Sequence, residues 1–199
     1  MSRWIHFICL ASLFVLLPIE LFGRYDTPVR QTALAITDLS AIAILLLVGR
    51  GLKRKGIELP AIVTLLVALD VWFDAAGNFA HLYGRFNWWD QLSHTIGTAA
   101  VAPALIAITL ALQRQGKISL PAWLHWVFSV SVATALAALY EVSELIGDEL
   151  FTTHRITDLY DTADDLRFNI AAAALAGLIA LKLLAKRQPN YVDIKGKNQ

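Results

Sequence analysis

The chain has 199 residues, 57% hydrophobic and 17% charged, with a net charge of +1 and a mean hydropathy of +0.56. Soluble domains are usually about 45–50% apolar and about 25% charged, so both values depart toward the membrane class. This composition excludes a disordered chain, a disulfide scaffold (Cys9 is the single cysteine) and a nucleic-acid binder, which needs a basic excess.

In chain order, six apolar stretches are long enough to cross a bilayer, which takes about 20 helical residues. They run near Trp4–Phe22, Thr32–Gly49, Pro60–Tyr83, Trp89–Leu112, Pro121–Ile146 and Ala163–Ala185. A chain this continuously apolar must satisfy its backbone internally, and period-2 alternation is absent, so the spans read as helices. The expected fold is an all-α polytopic membrane bundle: one six-span domain over residues 1–186, then a polar cytoplasmic tail over 187–199. Pro60 and Pro121 suit span starts, while Pro18 and Pro103 fall inside spans. The apolar run of the first span is followed by Glu20-Leu21-Phe22-Gly23 and not by a small-x-small cleavage site, which favours a retained anchor.

Lysine and arginine set orientation. Twelve of the 17 basic residues, including all seven lysines, fall on one side when six spans are counted, against five on the other. Both termini are therefore expected in the cytoplasm.

Ionisable residues inside spans cost about 2.5–3.5 kcal/mol each on insertion scales and usually face a partner or a cavity. In the third span Asp70, Asp74, Asn78 and His81 recur at helical spacing. The fourth opens with Trp88-Trp89-Asp90 and carries His94 one turn later. Glu141, Glu144 and Asp148 share a face of the fifth, and Asp161, Asp165 and Asn169 form a stripe entering the sixth. With alternating spans, all four stripes fall in the extracytoplasmic half, where one interior pocket can collect them.

Bland readings compete with this one. Asp90 and Asp161 suit helix N-caps, and Asp164 and Asp165 suit the helix dipole. Trp88, Trp89 and Tyr83 suit an interfacial aromatic belt. Asp148 and Glu149 read as solvated, Asp38 as joining the cluster or bonding locally, and His6, His125 and His154 as interfacial or loop residues. No cap explains His81, His94, Glu141 or Glu144.

Imidazole with carboxylates and no sulfur suits Zn, Fe or Mn, so a divalent metal is a candidate cofactor, with His81, His94, Glu141 and Glu144 as ligands. The same groups also suit acid–base work, giving His81, His94, Glu141, Glu144 and Asp165 as catalytic candidates. Asp74, Asn78, Asp90, Asp148, Asp161 and Asn169 support them. Gly49-Arg50-Gly51-Leu52-Lys53 lacks phosphate-loop spacing, and neither a Gly-x-Ser-x-Gly elbow nor a His-Glu-x-x-His motif is present.

The blocks Asn78–Tyr83, Trp89–His94, Tyr140–Glu144 through Asp148, and Asp161–Leu166 followed by Asn169 resemble the YjdF-like family of bacterial inner-membrane proteins. The Asp-x-x-x-His, Glu and Asp…Asn order is more distantly similar to VanZ-like membrane proteins. Gly77, Gln91 and Ser143 depart from the family pattern. The resemblance implies a multi-pass protein of the bacterial inner membrane and no defined activity.

Three functions follow as expectations. One is a membrane-embedded metal or acid–base site acting on a lipid-linked or amphiphilic substrate. The alternatives are a proton- or ion-coupled transporter and a non-catalytic membrane subunit. The bilayer is the expected partner, and no nucleic acid is.

Overall fold

Thr27 opens the best-capped helix of the chain. Its hydroxyl accepts from Arg30 N, and Pro28 follows at the first helical position, where a missing N–H costs nothing. The computed structural model describes residues 2–186 except Arg24, Asp26, Asn87, His154, Thr157 and Leu159. The expected tail over 187–199, the basic residue Arg24 and the loop residue His154 thus lie outside the described residues.

Six helices make up the fold: α1 (Ser2–Phe22), α2 (Pro28–Arg54), α3 (Ala61–Phe79), α4 (Trp89–Arg114), α5 (Ala122–Phe151) and α6 (Asp161–Ala185). Each is long and apolar enough to cross a membrane, and no strand occurs among the described residues. The chain is a multi-pass membrane protein, as its composition indicates.

Some boundaries differ from expectation for local reasons. The cap at Thr27 starts α2 four residues before the expected Thr32. At its other end α2 runs to Arg54, where Gly56, at φ +70°, reverses the chain. Gly116, at φ +68°, closes α4 in the same way. The helix α5 continues to Phe151 and ends on Thr152 in a left-handed conformation, which brings Asp148 inside the helix. The helix α3 stops at Phe79, four residues short of the expected Tyr83. Asp90 and Asp161 do not cap their helices: Trp88 and Tyr160 hold those positions, without side-chain cap bonds.

Interhelical bonds fix the arrangement. His6 meets Thr64 at 2.6 Å and Trp72 donates to Ser12 at 3.3 Å, so α1 and α3 run parallel. Thr98 meets Asn169, and Gly177 faces Ala102, so α4 and α6 also run parallel. Helix α4 touches α3, α5 and α6, while α1 and α2 lie beyond α3. Small side chains let the central helices close up, with Ala102, Ala133 and Ala173 meeting at 0–1% exposure. Large apolar side chains such as Phe14, Leu47, Leu139 and Leu175 stay exposed on the periphery, which suits contact with lipid tails. His6 is half-buried, whereas His125 is fully buried and bonds Gln113 Oε1 at 3.0 Å.

Candidate functional site

The α2–α3 and α4–α5 turns lie at one end of the bundle, tied by Gln115 Nε2 donating to Lys55 O at 2.7 Å. The α3–α4 and α5–α6 turns lie at the other end, and the polar stripes converge there. His94, one turn into α4, occupies the centre. Its Nε2 lies 3.6 Å from Asp90 Oδ1 and 3.7 Å from Asp165 Oδ2, and its Nδ1 lies 3.4 Å from Glu141 Oε1. Three helices, α4, α5 and α6, thus each place a carboxylate around one imidazole.

The ring is held from below. Thr98, one turn further along α4, donates to Asn169 Oδ1 at 2.6 Å, and Asn169 Nδ2 approaches His94 Nδ1 at 3.5 Å. Because a hydroxyl donates and accepts, Thr98 can hold either face of that amide, so Asn169 can serve either imidazole tautomer. Tyr140 packs edge-on against the ring, with centroids 5.7 Å apart.

Glu144 is one turn above Glu141 and makes a different partnership. Arg155, from the α5–α6 connection, places Nη1 2.9 Å from Glu144 Oε1 and 2.8 Å from Tyr140 OH. Burial works against the guanidinium charge, but Tyr140, Asp74 and Glu144 outweigh it and raise its pKa, so Arg155 stays cationic. The connection is folded around Asp148, whose carboxylate accepts from Thr153 Oγ1 and from the backbone N–H groups of Arg155 (2.8 Å) and Ile156 (2.9 Å). Asp148 is therefore an organiser of this loop and not a solvated surface acid.

On the α3 side, Asp74 Oδ1 accepts from Asn78 Nδ2 at 2.8 Å and from Tyr83 OH at 2.7 Å. Tyr83 and Trp89 lean over Gly77, where an added Cβ would collide with the tyrosine ring and lie 2.5 Å from Trp89 Nε1. Phe73 stacks on Trp89 at 3.9 Å, so the expected aromatic belt partly serves as the wall between α3 and α4. Asp70 lies against Gly97 of α4, where an added Cβ would come within 2.8 Å of its Oδ2.

His81 departs from the expected set. Helix α3 has ended before it, its backbone is left-handed at φ 55°, and its side chain is exposed. It belongs to neither of the carboxylate–histidine groups that could hold an ion among the described residues, Asp90–His94–Asp165 and His94–Glu141–Glu144. Of the four expected ligands, His94, Glu141 and Glu144 are brought together and His81 is not.

A cavity of about 670 Å³ opens beside this cluster. Asp74, Asp90, Glu144, Asp158, Asp161 and Asp164 line it, against only two arginines, Arg30 and Arg155. Phe86, Trp88 and Phe168 give it apolar walls. The residues that sequence reasoning missed are Arg155 and Thr98. Only the spacing of Thr98 one turn beyond His94 could have suggested its role.

No curated protein and no solved structure matches the chain. A family model described as a predicted membrane protein, DUF2238, matches residues 3–187, nearly the whole sequence. The chain with this buried His94 centre belongs to that family of membrane proteins.

Proposed function

We propose that the chain is a bacterial inner-membrane protein whose His94 centre binds a divalent metal and acts on a membrane-associated, amphiphilic substrate. The resemblance to the YjdF-like family supports that location. So does the charge distribution: Lys53, Lys55, Lys117, Lys182 and Lys186 lie at the end opposite the site, which supports a cytoplasmic place for that end and an extracytoplasmic one for the site.

One observation carries the chemistry: His94 Nε2 faces two carboxylates while Nδ1 faces a third. Donor separations of 3.6 and 3.7 Å are close to the roughly 3.3–3.6 Å edges expected around a tetrahedral ion with bonds of about 2.0–2.2 Å. Asp165 is 1% exposed and neither of its oxygens has a hydrogen-bond partner among the described residues, so it needs a cation or a proton. Ligation on Nε2 puts a proton on Nδ1, where Glu141 accepts it and orients the ring. Arg155 already occupies Glu144, so Asp90–His94–Asp165 is the better ligand set of the two. Three protein ligands leave a position toward the cavity that Asp90 lines, as in sites that activate water or polarise a substrate oxygen. The excess of acids in the cavity favours a substrate whose polar part is neutral or cationic, with its apolar part on Phe86, Trp88 and Phe168.

The transport alternative needs a polar route past the centre of the bundle. The tight meeting of Ala102, Ala133 and Ala173 supports a one-sided site instead. The test is metal content of detergent-purified protein, wild type beside H94A and D165N. The reading expects bound metal in wild type, with one equivalent lost in each variant. Folded wild type that neither contains a transition metal nor takes up Zn²⁺ or Mn²⁺ contradicts it.

A further inference from the structure

A second set of carboxylates lies on the far side of α3 from His94. Glu20 of α1 is 1% exposed and Asp38 of α2 is 0% exposed, and none of their four oxygens has a hydrogen-bond partner among the described residues. Neither acid makes an ion pair among the described residues. Buried carboxylates without partners are among the costliest groups a membrane protein can carry.

The helix geometry aims them at each other. Gln31 Nε2 donates to Leu21 O at 2.6 Å and approaches Gly23 O at 3.4 Å, which pins the start of α2 beside the end of α1. Asp38 lies two turns further along α2, roughly 10 Å at about 1.5 Å per residue. Side chains on a helix tilt toward its N-terminus. These two helices are antiparallel, so the Glu20 side chain leans down toward Asp38 while that of Asp38 leans up toward Glu20. The parallel register of α1 and α3, set by His6 with Thr64 and Ser12 with Trp72, carries Glu20 to the last turns of α3. Asp74 lies in those turns.

We propose that Glu20 and Asp38 form a second cation site, separate from His94, that takes a hard divalent ion of the Mg²⁺, Mn²⁺ or Ca²⁺ class. Two carboxylates and no nitrogen or sulfur make an all-oxygen donor set, which selects such ions over softer ones. A divalent charge neutralises the pair, which a single monovalent ion cannot do. Bound water completes the coordination, as is usual for Mg²⁺. Asp74, in the last turns of α3, lines the cavity and so marks the way in. The inference does not depend on the His94 reading.

The experiment counts bound Mn²⁺ by electron paramagnetic resonance in the full-length protein in detergent, with folding checked by circular dichroism. E20Q and D38N should each bind one equivalent less than wild type, and H94A should keep one equivalent that an E20Q/H94A protein loses. Folded E20Q and D38N that bind as much Mn²⁺ as wild type overturn the proposal and leave protons as the neutralising charge. If neither variant folds, H94A decides, because an H94A protein that binds no Mn²⁺ also overturns it. Failure of the His94 reading looks different: H94A then matches wild type while E20Q still loses its ion.

Discussion

The α3–α6 half of the bundle and the α1–α2 half both bury acids, but they treat them differently. Around His94 several buried acids have a protein partner: Glu144 has Arg155, and Asp74 has Asn78 and Tyr83, while Glu141 Oε1 lies 3.4 Å from the imidazole without a hydrogen bond. Between α1 and α2, Glu20 and Asp38 have none among the described residues. A buried charge with good partners is an arranged site, whereas one without them calls for an ion or a proton from outside. Asp165 belongs to both types, beside His94 yet without a hydrogen bond, and that is why it is the ligand to examine first.

Removing a partner should make the first half behave like the second. R155M leaves Glu144 buried and unpaired, and is expected to cost about 2–4 kcal/mol in a reversible denaturant titration, somewhat below a fully buried pair because Arg155 keeps 25% of its side chain exposed. The double variant R155M/E144Q should recover most of that loss. If it does not, the arginine acts through loop packing and not through charge. Next in size, E141A removes the acceptor on Nδ1 and should weaken metal affinity about 10–100-fold, measured by competition with a chelator. Unchanged affinity would mean that Glu141 does not orient the ring.

The converse change belongs in the other half. D38L, studied with divalent ions chelated, should leave stability unchanged or raise it by about 1 kcal/mol or more, since it replaces an unpartnered buried charge with apolar volume. A loss of several kcal/mol would show that Asp38 has a protein partner after all. G77A should cost about 1–3 kcal/mol, because Tyr83 and Trp89 must shift and the Tyr83 bond to Asp74 is disturbed. The smallest effect serves as calibration: D164N breaks a surface pair with Arg167 at 3.2 Å and should change stability by no more than about 0.5 kcal/mol.

Helical spacing made much of this site readable. His94, Glu141, Glu144, Asp165 and Asn169 fall on faces that topology brings to one end, and hydropathy fixed the number of helices. His81 was misplaced because the spacing rule assumes that the helix continues. The chain leaves α3 at Phe79 so that Tyr83 can turn back onto Asp74, a tertiary bond that no local pattern announces. Asp90 and Asp161 looked like caps because each lies at the very start of its helix, α4 beginning at Trp89 and α6 at Asp161 itself. Glu20 and Asp38 stood alone in their spans, and a lone acid has no periodicity to read. Their juxtaposition depends on the register between α1 and α2, which is set by Gln31. Arg155 was hidden for the opposite reason, since it lies in a loop whose course follows the Asp148 carboxylate.

The central claim is that the His94 imidazole ligates a metal, and electron spin-echo spectroscopy of the Mn²⁺-loaded protein reads that contact directly. Nitrogen modulation from one imidazole is expected in wild type, with its loss in H94A and its persistence in E20Q, whose missing ion has only oxygen donors. Mn²⁺-loaded wild type with no nitrogen modulation, or with modulation that survives H94A, contradicts it.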